Sequence, residues 1–244
     1  MSEGIAAIGA AISAGRFKDT DPEPLVLAAN GATSSSILSE AASKEALSGF
    51  GLRIPRSIQA QSIDELIEES AALSFPVVLK GTGLAHKSEA GLVALDIRDE
   101  PSLAAAARQM QAVTSGFLVE EMAVGGIAEV LVGITRDPTG TFLLTLGAGG
   151  VLTELLADTA SLLLPASPAE IETALDSLRI GRLLQGYRGK PAADMRALTD
   201  AVMSICRYAE AHGDRLVELE VNPLIARVGD AIAVDALIRL HDAE

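Results

Sequence analysis

The chain has 244 residues, 49% of them hydrophobic and 21% charged, so it can bury a sizeable core as one large domain or two small lobes. Its formal charge of −14 argues against a nucleic-acid or anionic-membrane surface, where phosphates would repel it. The lone Cys206 excludes an intrachain disulfide, no apolar run reaches the length of a membrane span, and Glu3 stands where a signal peptide needs Lys or Arg, so a cytoplasmic protein is expected.

Residues 1–34 mix a short apolar segment with Asp21-Pro22-Glu23-Pro24 and Gly31-Ala32, and read as an arm or linker. Helical spacing begins near Ile37 and stops at Gly49, and a short strand is expected over 56–60. Ser62-Ile63-Asp64-Glu65 has the form of a capping box and opens a helix to about Leu73. A buried-type strand, 75–80, ends on Lys80; after a glycine-rich turn come a strand over 91–97, a helix over 101–112 and a strand over 117–122. Beyond Gly125-Gly126, two strands over 128–136 and 141–146 are joined by the turn Asp137-Pro138-Thr139-Gly140.

The loop 147–150 opens a short helix-like piece at Leu152, and helices follow over 168–178 and 191–212, the latter closed by Gly213. Segment 217–224 alternates as a strand, which lifts Glu218, Glu220 and Asn222 onto one face, and Pro223 is expected to end its ladder. Segment 231–235 returns and delivers Asp235 beside it. Irregular alternation with hairpins makes this an α+β chain with mixed sheets rather than a doubly wound parallel sheet.

The carboxylate and amide oxygens on the terminal hairpin are the hard donor set that suits Mg²⁺, although a solvated hairpin face would look the same. Lys80 closing an apolar strand either points into a cleft or snorkels to water. The loop 81–91 carries His86, Lys87 and Ser88 among small residues and has backbone donors that could fold over phosphates; His86 is either a phosphoryl acceptor or an incidental loop histidine. Glu120 and Glu121, next to a glycine pair, are either an interlobe hinge that accepts the amino group of adenine or surface charge. Loop 147–150 offers a second set of free backbone donors. Arg53 and Arg56 are possible nucleotide or interface contacts, but surface arginines are commoner.

In order along the chain, Val77-Val78-Leu79-Lys80, His86-Lys87-Ser88-Glu89, Val119-Glu120-Glu121-Met122, Val132 to Pro138, Gly147-Ala148-Gly149-Gly150-Val151 and Glu218 to Leu224 resemble the ATP-grasp subunit of ADP-forming acyl-CoA synthetases, relatives of the succinyl-CoA synthetase β subunit. The likeness runs from roughly Leu38 to Leu240. It implies an ATP-grasp fold with a first lobe over 35–122 and a second over 123–244, with the nucleotide between them. Lys80 would contact phosphates, Glu120 and Glu121 would hold adenine, and Arg136, Gly149 and Gly150 would complete the ATP/ADP site. Asn222 and Asp235 would bind Mg²⁺, Glu220 would lie near the phosphoryl-transfer centre, and His86 would be the second phosphohistidine of the relay.

The resemblance further implies a CoA-binding α-type partner subunit, which supplies the CoA and carboxylic-acid sites, because no CoA-binding Rossmann half is recognisable here. His212 and His241 have no matching context. The chain departs from the family in a shorter segment between Lys80 and His86, and in Gly91-Leu92 where two glycines are usual. The alternatives are a non-catalytic nucleotide-sensing or scaffold subunit, and a stand-alone ATP-grasp carboxylate ligase.

Overall fold

A computed structural model describes residues 34–83, 92–137, 139–150, 153 and 158–242. In chain order the elements are β1 (Ser35–Ile37), α1 (Glu40–Ser48), β2 (Ser57–Ala60), α2 (Ile63–Ser70), β3 (Val77–Thr82), β4 (Val93–Ile97), α3 (Glu100–Met110), β5 (Gly116–Glu121), β6 (Ala128–Arg136) and β7 (Phe142–Ala148). They continue with β8 (Thr159–Leu163), α4 (Pro168–Ser177), α5 (Gly181–Leu184), α6 (Met195–Ala211), β9 (Leu216–Ala226), β10 (Ala231–Ala233) and β11 (Ala236–His241).

The strands form two antiparallel sheets, a small one in the order β2-β5-β3-β4 and a large one in the order β1-β11-β9-β6-β7-β8, with β10 on β9. The α+β expectation therefore holds, but the sheets are antiparallel and not mixed, because neighbouring strands run in opposite directions at every pairing among the described residues. Each sheet has its own core. Beneath the small sheet, Val77 and Leu79 of β3 and Phe117 and Val119 of β5 pack with Leu66 of α2 and Leu103, Ala107 and Met110 of α3. In the large one, alternate residues Val130, Val132 and Ile134 of β6 and Phe142, Leu144 and Leu146 of β7 face Leu198, Val202, Ile205 and Ala209 of α6, spaced as one helical stripe. Among the described residues no helix is long and apolar enough to cross a membrane.

The helices start where short polar side chains can take up orphan backbone donors. Ser39, Ser62, Asp99, Ser167 and Asp194 each accept from an N–H three residues on. At Ser62 the expected box forms in a shifted way, since Glu65 reaches back to the N–H of Gln61 at 2.7 Å.

Three readings of the N-terminal and C-terminal ends need correction. Ile37 belongs to β1, not to a helix, and β1 pairs with β11 (Ser35↔His241), while Leu47 of α1 lies in the larger core. Residues 35–48 therefore pack with the large sheet although they lie within the span expected for the first lobe. Pro223 does not end the ladder. β9 runs on to Ala226, with Val130 opposite Leu224 and Val132 opposite Val221, so β9 carries one extra residue at Asn222–Pro223. This bulge turns Leu224 and Ala226 into the core although they have the parity of Glu220, which faces out.

Candidate functional site

The small sheet has a second buried face, on the side away from its helices. Val78 and Lys80 of β3 and Leu118 and Glu120 of β5 point there, and all four are buried. Val78 is paired with Glu120 and Lys80 with Leu118, so Lys80 and Glu120 are diagonal neighbours across the ladder. Facing them from the large sheet are α1 and the connection between β10 and β11.

Four charged side chains meet at this junction, Glu40, Lys44, Lys80 and Glu120, each at most 7% exposed. Lys80 Nζ donates to Glu40 Oε1 at 2.5 Å and to the carbonyl of Val234 at 2.6 Å, and lies 2.9 Å from Glu120 Oε2. Lys44 Nζ donates to the same three residues, to Glu40 Oε1 at 2.8 Å, to Val234 O at 3.2 Å and, in a very short contact, to Glu120 Oε1. Two ammoniums thus share one set of acceptors.

Burial alone would raise the Glu40 carboxyl pKa, but the charges of Lys80 and Lys44 outweigh it and hold the group at about 2. Burial would likewise lower that of Lys80, yet Glu120, Glu40 and Asp235 raise it. Glu40 therefore adds stability that is complete above its ordinary value of 4.5 and disappears as pH falls towards about 2. On the order of 3 kcal/mol depends on this titration. Urea midpoints should fall steeply through that acid window in the native chain and less steeply in Glu40→Gln; equal slopes would refute the assignment.

Val234 links this cluster to the terminal hairpin. Its N–H donates to Pro223 O at 3.2 Å, and the N–H of Asn222 donates to Asp235 O at 3.2 Å, so Asn222 and Asp235 lie side by side on the backbone, next to the carbonyl that holds both lysines. Asn222 Oδ1 accepts from Gly150 N–H at 2.8 Å, and its Nδ2 lies 3.4 Å from Glu220 Oε1. Gly149 N–H donates to Glu129 O at 2.8 Å. The loop 147–150 is therefore not a set of free donors: the two N–H groups of Gly149 and Gly150 are used to fasten it to β6 and to Asn222. Gly150 has φ of +59°, where glycine is at ease, and a Cβ on Gly149 would lie 2.7 Å from the Val130 backbone.

Lys80, Asn222, Asp235, Glu220, Gly149 and Gly150 thus converge. Glu120 joins them in a different role, since its carboxylate is committed to two lysines. Glu121 lies outside the cluster, where it accepts from Ser74 N–H at 2.9 Å and pairs with Arg56 at 3.4 Å. Arg136 stands at the far end of β6, opposite Phe142, with its guanidinium 5.9 Å from that ring. At about 3.3 Å per residue it is roughly 20 Å from the Gly149 end of the hairpin. Arg53 is an exposed partner of Asp230. His212 caps α6 and His241 ends β11. His86 lies outside the described residues.

Sequence reasoning missed Glu40 and Lys44. An i, i+4 Glu–Lys pair ordinarily reads as an exposed helix pair. The available signal was that both share a face with Leu47, the apolar side of α1.

The donor set fits Mg²⁺. Asn222 offers its amide oxygen, which keeps a second lone pair, and Asp235 and Glu220 carry carboxylates on the backbone segments beside it, the hard oxygen donors that suit this ion. No cluster of three His, Cys, Asp or Glu residues that could hold a metal occurs among the described residues.

Comparison with known proteins shows the family. The ATP-grasp domain family matches residues 29–240. The β subunit of the ADP-forming acetate–CoA ligase II of Pyrococcus furiosus is 28% identical over 81% of this chain and 89% of its own length. A trans-feruloyl-CoA synthase from an unknown prokaryote is 30% identical over 90% of this chain, which spans 32% of that longer protein. Among solved structures, the Ca. Korarchaeum cryptofilum dinucleotide-forming acetyl-coenzyme A synthetase 1, in complex with coenzyme A and Ca-AMPCP, superposes with a TM-score of 0.77 at 31% identity, over 84% of this chain and 93% of that one. The same synthetase has been solved with Mg-AMPPCP and its phosphohistidine segment pointing towards the nucleotide-binding site. The chain belongs to the ATP-grasp domain family, in company with the β subunits of ADP-forming acetate–CoA ligases.

Proposed function

We propose that the chain is the nucleotide-binding subunit of an ADP-forming acyl-CoA synthetase, which with a CoA-binding α-type partner converts a carboxylic acid, ATP and CoA to acyl-CoA, ADP and phosphate. The observation that carries this reading is the convergence of Lys80, Asn222, Asp235 and the Gly149–Gly150 loop where the two sheets meet. Lys80 is the proposed phosphate ligand, reached by exchanging a protein acceptor for a phosphate oxygen. Asn222 and Asp235 would hold Mg²⁺, which when bound offsets phosphate charge. The loop 147–150, fastened through Asn222, sets the floor of the phosphate site. Glu220, on the outer face of β9 beside Asn222, is the proposed carboxylate near the phosphoryl-transfer centre.

His86 is the proposed acceptor. Its neutral imidazole attacks the γ-phosphorus of ATP, the bond to the β–γ bridging oxygen breaks and ADP departs. The phosphoryl group then passes to the acid on the partner as an acyl phosphate, and the thiol of CoA displaces phosphate. Adenine contact falls to the backbone around Glu121, because the Glu120 carboxylate is occupied. The division into an arm over 1–34 and two lobes is retained, with residues 35–48 packing on the second.

The test is incubation of the chain and its CoA-binding partner with Mg²⁺ and γ-labelled ATP. Acid-labile label should appear on this chain, vanish in His86→Ala, and fall about 10²–10³-fold in Asp235→Ala. Label on the partner alone, with His86→Ala fully active, would sink the relay. ATP binding without any transfer would favour a sensing subunit.

A further inference from the structure

We propose that Lys44 is a positioning residue that frees Lys80 for the nucleotide, by standing in as counter-ion to Glu40 and Glu120 when Lys80 turns towards phosphate. The inference rests on the reading of Lys80 as the phosphate ligand and goes beyond it, because Lys44 touches no substrate and acts only through the carboxylates it shares.

The argument is a count of donors and charges. An ammonium has three N–H groups. Three acceptors, Glu40 Oε1, Val234 O and Glu120 Oε2, lie within 2.9 Å of Lys80 Nζ, so each donor towards phosphate is taken from a protein group. The two glutamates and two lysines are neutral together. When Lys80 leaves, Glu40 and Glu120 keep Lys44, which already contacts both of them and Val234 O. The residue left behind carries one net negative charge. Without Lys44 it would carry two, buried and adjacent, and Lys80 would be held back by both. An uncompensated buried charge is far costlier than a paired one. The geometry also places the stand-in on the other body: Lys80 is on the small sheet, whereas Lys44 and Glu40 lie on α1, which packs with the large one.

This makes the sign of each substitution specific. Removing a positive charge by Lys44→Met should weaken binding of ADP about tenfold or more, since both carboxylates then lose an ammonium they share and hold Lys80 the harder. Removing a negative one by Glu40→Gln should strengthen it several-fold, since Lys80 leaves behind a neutral Glu120–Lys44 pair. The double variant restores the native balance and should bind within about threefold of the native chain.

The experiment is calorimetric titration of ADP into the native chain and the three variants at one ionic strength, with thermal unfolding recorded for each. A merely structural role for the cluster predicts weaker binding in every variant, with the double no better than the worse single. That pattern, or Lys44→Met binding ADP as the native chain does, would overturn the proposal. Should Lys44→Met fail to fold, the sign for Glu40→Gln and the affinity of the double variant still decide. Failure of the underlying reading looks different: the native chain would then bind no ADP, or Lys80→Met would bind it unchanged.

Discussion

Replacing Glu120 by alanine is expected to lower the unfolding free energy by roughly 3–5 kcal/mol, the cost of stranding buried charge. Its carboxylate receives Lys44 on one oxygen and faces Lys80 at 2.9 Å on the other, and its side chain is 3% exposed. With it gone, two buried ammoniums share Glu40 and the carbonyl of Val234. The neighbouring Glu121→Ala is the control. That carboxylate pairs with an exposed Arg56 at 3.4 Å, so its loss should cost only about 1 kcal/mol or less. Urea unfolding at neutral pH measures both. Equal costs would show that the buried quartet contributes no more than a surface pair.

Gly149→Ala is expected to remove most activity as well as stability. A Cβ there meets Val130 backbone atoms at 2.7 and 2.9 Å, and backbone cannot swing aside as a side chain can. The loop must lift from β6, which breaks the Gly149–Glu129 hydrogen bond and pulls Gly150 from Asn222. Overpacking of this kind costs about 1–3 kcal/mol. A displacement of about 1 Å at the phosphate site is worth about 100-fold in rate. Gly133→Ala, on the same strand pair, adds a Cβ whose nearest neighbour is Leu131 Cδ2 at 4.0 Å, and should leave both quantities nearly unchanged. Label transfer from ATP and thermal melting distinguish the two; a fully active Gly149→Ala would show that the loop does not set the site.

The contrast between these positions mirrors what could be read from the residues alone. β3, β5, β6 and the helix start at Ser62 were legible because apolar alternation and capping residues are local signals. β1 was not, because Ser35-Ser36-Ile37 has no buried side chain and is a strand only through backbone pairing with β11. β8, with its alternating half-exposed residues at a sheet edge, carries only a weak signal. β11 was legible in principle, since Ala236, Ile238 and Leu240 alternate into the core, but the terminal segment was read as ending at Asp235.

Within the site, Lys80, Asn222 and Asp235 were visible as polar residues on apolar strands. The partners of Lys80 were not, because Glu40 lies far along the chain and only the fold brings α1 to β3. The loop 147–150 was glycine-rich in plain view, but that its donors are already spent follows from Asn222, which no local pattern connects to it.

The route of the chain through the two sheets has a consequence for how the protein is made. All four strands of the small sheet lie between Ser57 and Glu121, inside a chain whose flanks together build the large one. A nascent chain therefore completes the small sheet while β1 and α1, although synthesised first, still wait for β9 and β11. Pairing Ser35 with His241 must then close a very long loop, which is slow. The junction that holds Lys80 draws on α1 and on Val234, far apart in sequence, so it comes together only after β10 has been made. Formation of this junction is thus a late event in folding, and a chain broken off before β10 could not form it at all.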